Sequence, residues 1–148
     1  MVIVRKEKFN SEKSIQYISD KAEKTENKSG MEDLKLGAAI DIGTTSIAVG
    51  LFDMENEVLL GNLTQTNCQT KFGSDVMMRI MHCTNGKEQL LHDMLIEQIE
   101  NIITVIIEQN ISEKYKSYVV ERMTVVGNTT MCHIFLNRDV TGLSGAPF

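Results

Sequence analysis

The chain has 148 residues, 24% of them charged, with a formal net charge of −5. That length suits one ordinary domain able to bury about two-thirds of the surface its unfolded chain exposes, and the acidic balance supplies no basic field for nucleic acid or an anionic membrane. Its three cysteines, Cys68, Cys83 and Cys132, are odd in number and widely spaced, so they form neither a disulfide framework nor the clustered thiolates of a zinc or iron–sulfur site, and a reducing intracellular compartment is expected.

Residues 1–36 differ from the rest, holding eight of the fifteen Lys+Arg and seven of the twenty Asp+Glu, with few large apolar residues after Val4. The opening Met-Val-Ile-Val-Arg-Lys is too short an apolar run for a signal peptide, and no later segment reaches the ~18 apolar residues of a membrane span, so the expected location is cytoplasmic. Ile15, Ile18 and Ala22 are spaced for a short helix. The polar run 21–30 that follows cannot bury enough to order itself, so 1–36 reads as a poorly ordered tail or linker.

The stretch Ala38 to Asp53 then carries two β-patterned runs, 37–42 and 46–53, around a Gly43-Thr44-Thr45 connection. This predicts a tight hairpin with glycine supplying special backbone angles. Asp41 precedes the turn, and two hydroxyls follow the glycine. N–H and O–H donors there could hold phosphate while the carboxylate holds a hydrated cation. Asp-x-Gly-Thr is also ordinary turn chemistry, in which Asp and Thr cap their own backbone.

Val58 to Leu63 continues the meander as a third strand, and the polar stretch 64–73 is expected to cross the surface from sheet to helix. Ser74 is expected to cap a helix from Asp75 to about Cys83 that carries Val76, Ile80 and Cys83 on one face and stops at Thr84-Asn85-Gly86. From Glu88 to about Gln109 the apolar pairs Leu90/Leu91, Met94/Leu95, Ile102/Ile103 and Ile106/Ile107 mark a long amphipathic helix whose stripe is core. A polar connection or short helix, 110–120, leads to a strand at Arg122–Gly127 and a helix from Asn128 to Leu136. That strand, glycine and helix start aim amides and hydroxyls at one spot, or serve only as an N-cap. The segment 142–148 is loop-like.

Together, the Ala-Ile-Asp-Ile-Gly-Thr-Thr hairpin, third strand, helical pair and Val-Val-Gly-Asn-Thr-Thr-Met unit resemble the first lobe of the actin-like ATPase superfamily. Within it, Asn67 to Ile80, Val125 to His133 and Thr141 to Phe148 look like reductive activators of corrinoid proteins, a likeness covering roughly residues 37–148. The fold implied is α/β: a ribonuclease H-like first lobe, with a three-stranded antiparallel meander plus parallel strand(s) packed by helices. The function implied is ATP-dependent return of a Co(II) corrinoid on a partner protein to Co(I). The partner would be a corrinoid iron–sulfur or corrinoid methyltransferase protein, and a homodimer is compatible with the likeness.

In that scheme Asp41 is the catalytic residue, orienting Mg2+ through water; Gly43, Thr44 and Thr45 cradle the phosphate of ATP; and Gly127, Asn128, Thr129 and Thr130 face the same cleft. A [2Fe-2S] cluster is expected on a ferredoxin-like domain that this chain lacks. A second phosphate hairpin and adenosine loop do not follow Phe148, so the expectation is an incomplete lobe with little ATPase activity alone. A lobe of a small-molecule kinase and a noncatalytic interaction module on the same scaffold remain open. His82-Cys83 and Cys132-His133 are poor chelating pairs, because adjacent helical residues point about 100 degrees apart. Arg79 and Lys71 are the cations expected close to the candidate turn, more suited to a salt bridge or solvent than to phosphate.

Overall fold

The computed structural model describes residues 2–7, 33–110 and 117–145, with residues 2–7, 33 and 117 described by their backbone only. The short helix expected near Ile15 and most of the polar tail lie outside those residues. Alternation of buried and outward positions, broken only at the buried Gly37 in β2, shapes the centre of the sheet, because successive strand side chains point to opposite faces. In β2 (Asp33–Ile42), Leu34, Leu36, Ala38, Ile40 and Ile42 are all buried. β3 (Ser46–Asp53) contributes Ile47, Val49 and Leu51 to the same core.

β2 pairs antiparallel with β3, and β3 pairs antiparallel with β4 (Val58–Thr66), which is the expected meander. On the other side of β2 runs β5 (Ser117–Gly127), parallel to it, and β1 (Val2–Glu7) closes that edge antiparallel to β5. The order of the five-stranded sheet is β1-β5-β2-β3-β4.

Three strand boundaries differ from the sequence expectation. β5 begins at Ser117 rather than Arg122, and β2 begins at Asp33, because these two strands pair along their first residues before a register shift at Leu36/Gly37. Val2–Glu7 is a strand because β5, more than a hundred residues later, offers it a partner, which periodicity within so short a run does not reveal. β4 continues to Thr66 through Thr64, which the sequence placed in a loop.

Helices cover one face of the sheet. α1 (Val76–His82) is capped by Asp75, whose side chain accepts a hydrogen bond from the Met78 N–H, and not by the expected Ser74: Asp75 itself holds the extended backbone of a cap. The chain kinks at Asn85 and Gly86, the latter at φ 79°, as the Thr-Asn-Gly cluster leads one to expect. α2 (Glu88–Asn110) then buries Leu91, Leu95, Ile99, Ile102, Ile103, Ile106 and Ile107 against the sheet. Each such side chain contributes roughly 1.5–3 kcal/mol of hydrophobic burial. α3 (Thr129–Phe135) adds Met131, Ile134 and Phe135 and is joined to α2 by His92 Nδ1 at 3.0 Å from the Ile134 carbonyl oxygen. Among the described residues no helix is long and apolar enough to cross a membrane.

Candidate functional site

Parallel pairing decides where the site can lie. The register that sets Ile42 beside Gly127 makes β2 and β5 end together, so the 43–45 turn and the segment after Gly127 leave the sheet from the same end. Both glycines are required by close approach. A Cβ at Gly127 would stand 2.9 Å from the Ile42 carbonyl oxygen, and one at Gly43 would stand 2.8 Å from that of Ser46. Gly43 is therefore not the expected source of special backbone angles: among the described residues the positive-φ glycines are Gly73 and Gly86. Its role is to let the Gly43 N–H donate to the Ser46 carbonyl at 2.9 Å and close the hairpin.

The turn is held from inside the fold by its carbonyls. Asn67 Nδ2 donates to the Gly43 oxygen at 2.8 Å, Arg79 Nη2 to the Thr44 oxygen at 3.2 Å, and the Asn67 backbone N–H to the Thr45 oxygen at 2.8 Å. Asn67 Oδ1 in turn accepts from the Gln69 N–H at 2.9 Å. In a trans peptide the N–H points opposite to the preceding C=O. Holding the Gly43 and Thr44 carbonyls inward consequently turns the Thr44 and Thr45 N–H groups outward, and neither has a protein acceptor among the described residues.

Asp41 is exposed, on the sheet face away from the helices, between Ala48 on β3 and Val126 on β5. It borders a shallow, mostly apolar depression of about 340 Å³, lined by Ala39, Gly50 and Val126 with Asn62, Thr64 and Thr124 among them. Its carboxylate is open to solvent. At the neighbouring strand end, Asn128 caps α3 by accepting from the Met131 N–H at 2.9 Å. Asn128 and Thr129 are exposed, whereas Thr130 is buried at 4% exposure.

Asn67, Gln69 and Arg79 are each 0% exposed, although the sequence reading placed the first two in a surface crossing and Arg79 in solvent or a salt bridge. Beside its bond to Thr44, Arg79 donates through Nη1 to the Gly73 carbonyl. A signal for it existed: it falls three residues after Val76 and four before Cys83, on the apolar stripe of α1. Burial lowers the pKa of its guanidinium, with Asp75 opposing that shift. Lys71 is exposed and sits over the Phe72 ring, 5.7 Å from its centre.

The cysteines and histidines do not converge. Cys68 is half-buried, its Sγ donating to the Met94 carbonyl at 3.4 Å, and burial pushes its thiol up, as it does those of the buried Cys83 and Cys132. His82 meets Phe72 edge-on, while His133 Nδ1 lies 2.7 Å from the Asp139 carbonyl oxygen. No group of three or more His, Cys, Asp or Glu able to hold a metal occurs among the described residues. A [2Fe-2S] cluster on four thiolates does not fit a chain with three separated cysteines.

Comparison with known proteins bears on this arrangement. A family model described as the RACo middle region matches residues 36–148. A corrinoid activation enzyme of Eubacterium limosum, RamQ, is 34% identical over 114 residues, covering 76% of this chain and 19% of that protein. A solved structure titled reductive activator for corrinoid, iron–sulfur protein matches with a TM-score of 0.63 at 31% identity, covering 78% of this chain and 18% of that one. The chain thus spans about a fifth of the length of these relatives, and its mixed sheet with helices is consistent with an actin-like first lobe.

Proposed function

The chain belongs to the RACo middle region family, and from that premise we propose that it forms the phosphate- and magnesium-binding half of the nucleotide site in an ATP-dependent reductive activator, one that returns a partner's Co(II) corrinoid to Co(I). The reading is carried by the shared end of β2 and β5, where the Gly43–Thr45 turn and the segment after Gly127 leave the sheet beside each other. The relatives, an activator of a corrinoid iron–sulfur protein and a corrinoid activation enzyme by name, support the choice of partner.

Each residue has a task that its position supports. Asp41, exposed one residue before the end of β2, orients the water shell of Mg2+. Thr44 and Thr45 offer outward N–H groups and hydroxyls to phosphate oxygens, a donor cradle of the kind short backbone turns form. Gly127 allows the two strands their close approach, and Asn128 and Thr129 border the same end, with Thr130 tucked beneath. Bound Mg2+-ATP supplies the charge to be held and, on hydrolysis, free energy for a conformational change. Shifting a two-state equilibrium from 1:99 to 99:1 takes about 5.5 kcal/mol of differential binding.

Calorimetric titration of the chain with ATP, with and without Mg2+, tests this. Asp41→Asn is expected to weaken binding about tenfold or more in Mg2+, equivalent to roughly 1.4 kcal/mol, and to leave binding in chelator unchanged. Equal affinity of the two proteins in Mg2+ would overturn the role of Asp41.

A further inference from the structure

We propose that Arg79 is a positioning residue for an anion: with Asn67 it holds the Gly43–Thr45 turn by its carbonyls from within, so that the Thr44 and Thr45 N–H groups face outward toward a phosphate with a buried positive charge behind them. The assignment rests on the phosphate reading of that turn.

The observation that carries it is an oddly placed charge. Arg79 is 0% exposed, yet its donors go to neutral backbone oxygens, those of Gly73 and Thr44. Its Nε has no acceptor at all. Among the described residues no carboxylate forms an ion pair with it; Asp75, which acts on its charge from a distance, uses Oδ1 to cap α1. A buried cation is costly unless a counter-charge or good hydrogen bonds offset it. For stability alone, an apolar side chain of similar volume would fill the same space as well.

Placed behind the Thr44 carbonyl, the guanidinium does something an apolar side chain cannot. It pulls electron density along the Thr44–Thr45 peptide, which strengthens the N–H on its far side as a donor, since hydrogen bonds in a chain polarise one another. The field acts across a single peptide group in a water-poor interior, where charge is weakly screened. Asn67 performs the neutral half of the task on the flanking carbonyls of Gly43 and Thr45, and its own Oδ1 is fixed by the Gln69 N–H. Gly73, at φ 115° and with no room for a Cβ beside Met78, delivers its carbonyl to the same guanidinium. The loop, α1 and the hairpin turn are therefore locked together through one side chain.

The test compares the full wild-type chain with Arg79→Lys, Arg79→Met and Arg79→Gln, using pyrophosphate and Mg2+-ATP as probes and amide NMR as a second readout. For variants whose spectra show a retained fold, Met and Gln are expected to weaken pyrophosphate binding tenfold or more and to flatten its salt dependence. Lys, which keeps the charge, is expected to retain most of both. Wild-type affinity in a folded Arg79→Met or Arg79→Gln protein, or a loss with Lys as large as with Met, would overturn the proposal. Should Met and Gln both unfold, Lys decides it: near wild-type affinity and salt slope support the charge behind the turn, and tenfold weakening contradicts it. If the wild-type chain itself binds neither probe, the phosphate reading fails. The clamp is then judged by hydrogen exchange at Thr44 and Thr45, faster in the substituted proteins if Arg79 positions the turn and unchanged if it does not.

Discussion

Gly127 and Gly43 show how much a single missing side chain decides. At both, a Cβ would come closer than 3.0 Å to a backbone carbonyl oxygen, and a backbone cannot swing aside as a long side chain does. Gly127→Ala and Gly43→Ala are each expected to cost about 1–3 kcal/mol through overpacking. Gly142→Ala, which meets nothing within 4 Å, stays within about 0.5 kcal/mol. Urea denaturation of the three proteins checks the contrast. The thiols give a pH prediction of definite sign. Burial raises the pKa of Cys83 and Cys132, so the native state holds those protons more tightly than the unfolded chain. The stability this contributes is full below the ordinary thiol pKa of about 8.5 and is lost as the pH rises through the raised values. Urea midpoints are therefore expected to fall on the alkaline side, with Cys83→Ala and Cys132→Ala flattening that fall. At this scale the sequence shows residue types clearly and their partners poorly. Asp41 is legible as an exposed carboxylate beside a turn. Asn67 is not, because its burial depends on a hairpin more than twenty residues away; for Arg79 the apolar stripe of α1 signals burial, but its partner in that hairpin does not show.

Among the elements, α2 is the most legible, since its apolar pairs recur at helical spacing for six turns. Its stripe is core throughout. Leu95→Ala, at a 0% exposed position facing the sheet, is expected to destabilise the fold by about 2–5 kcal/mol. Glu97→Ala, on the exposed side of the same helix, stays within about 0.5 kcal/mol; thermal unfolding of both variants measures the difference. The hairpin and the last strand–helix unit were equally readable. What escaped were the pairings made by residues that look like linker: Val2–Glu7, Asp33–Leu36 and Ser117–Glu121 form strands because each finds a distant partner. Such strands are specified by the neighbour they complete, and a window of local sequence does not contain that neighbour.

In the molecule as a whole, helices cover one face of the sheet, and the other presents Asp41 beside a shallow, mostly apolar depression. One strand end brings the two candidate turns together, while the cysteines stay dispersed. In the proposed reading the nucleotide site closes between two lobes, and the described residues form one α/β unit. The chain alone is accordingly expected to hydrolyse ATP no faster than a sample carrying Asp41→Asn, as a phosphate-release assay would record. The central claim, that the ends of β2 and β5 hold the phosphates of Mg2+-ATP, is tested most directly by following the backbone amide resonances of the full chain during titration with Mg2+-ATP. The largest shifts are expected on Thr44, Thr45 and Gly127 to Thr129. Shifts centred elsewhere, for example around Asp139 and Thr141, or none at all at millimolar nucleotide, would contradict it.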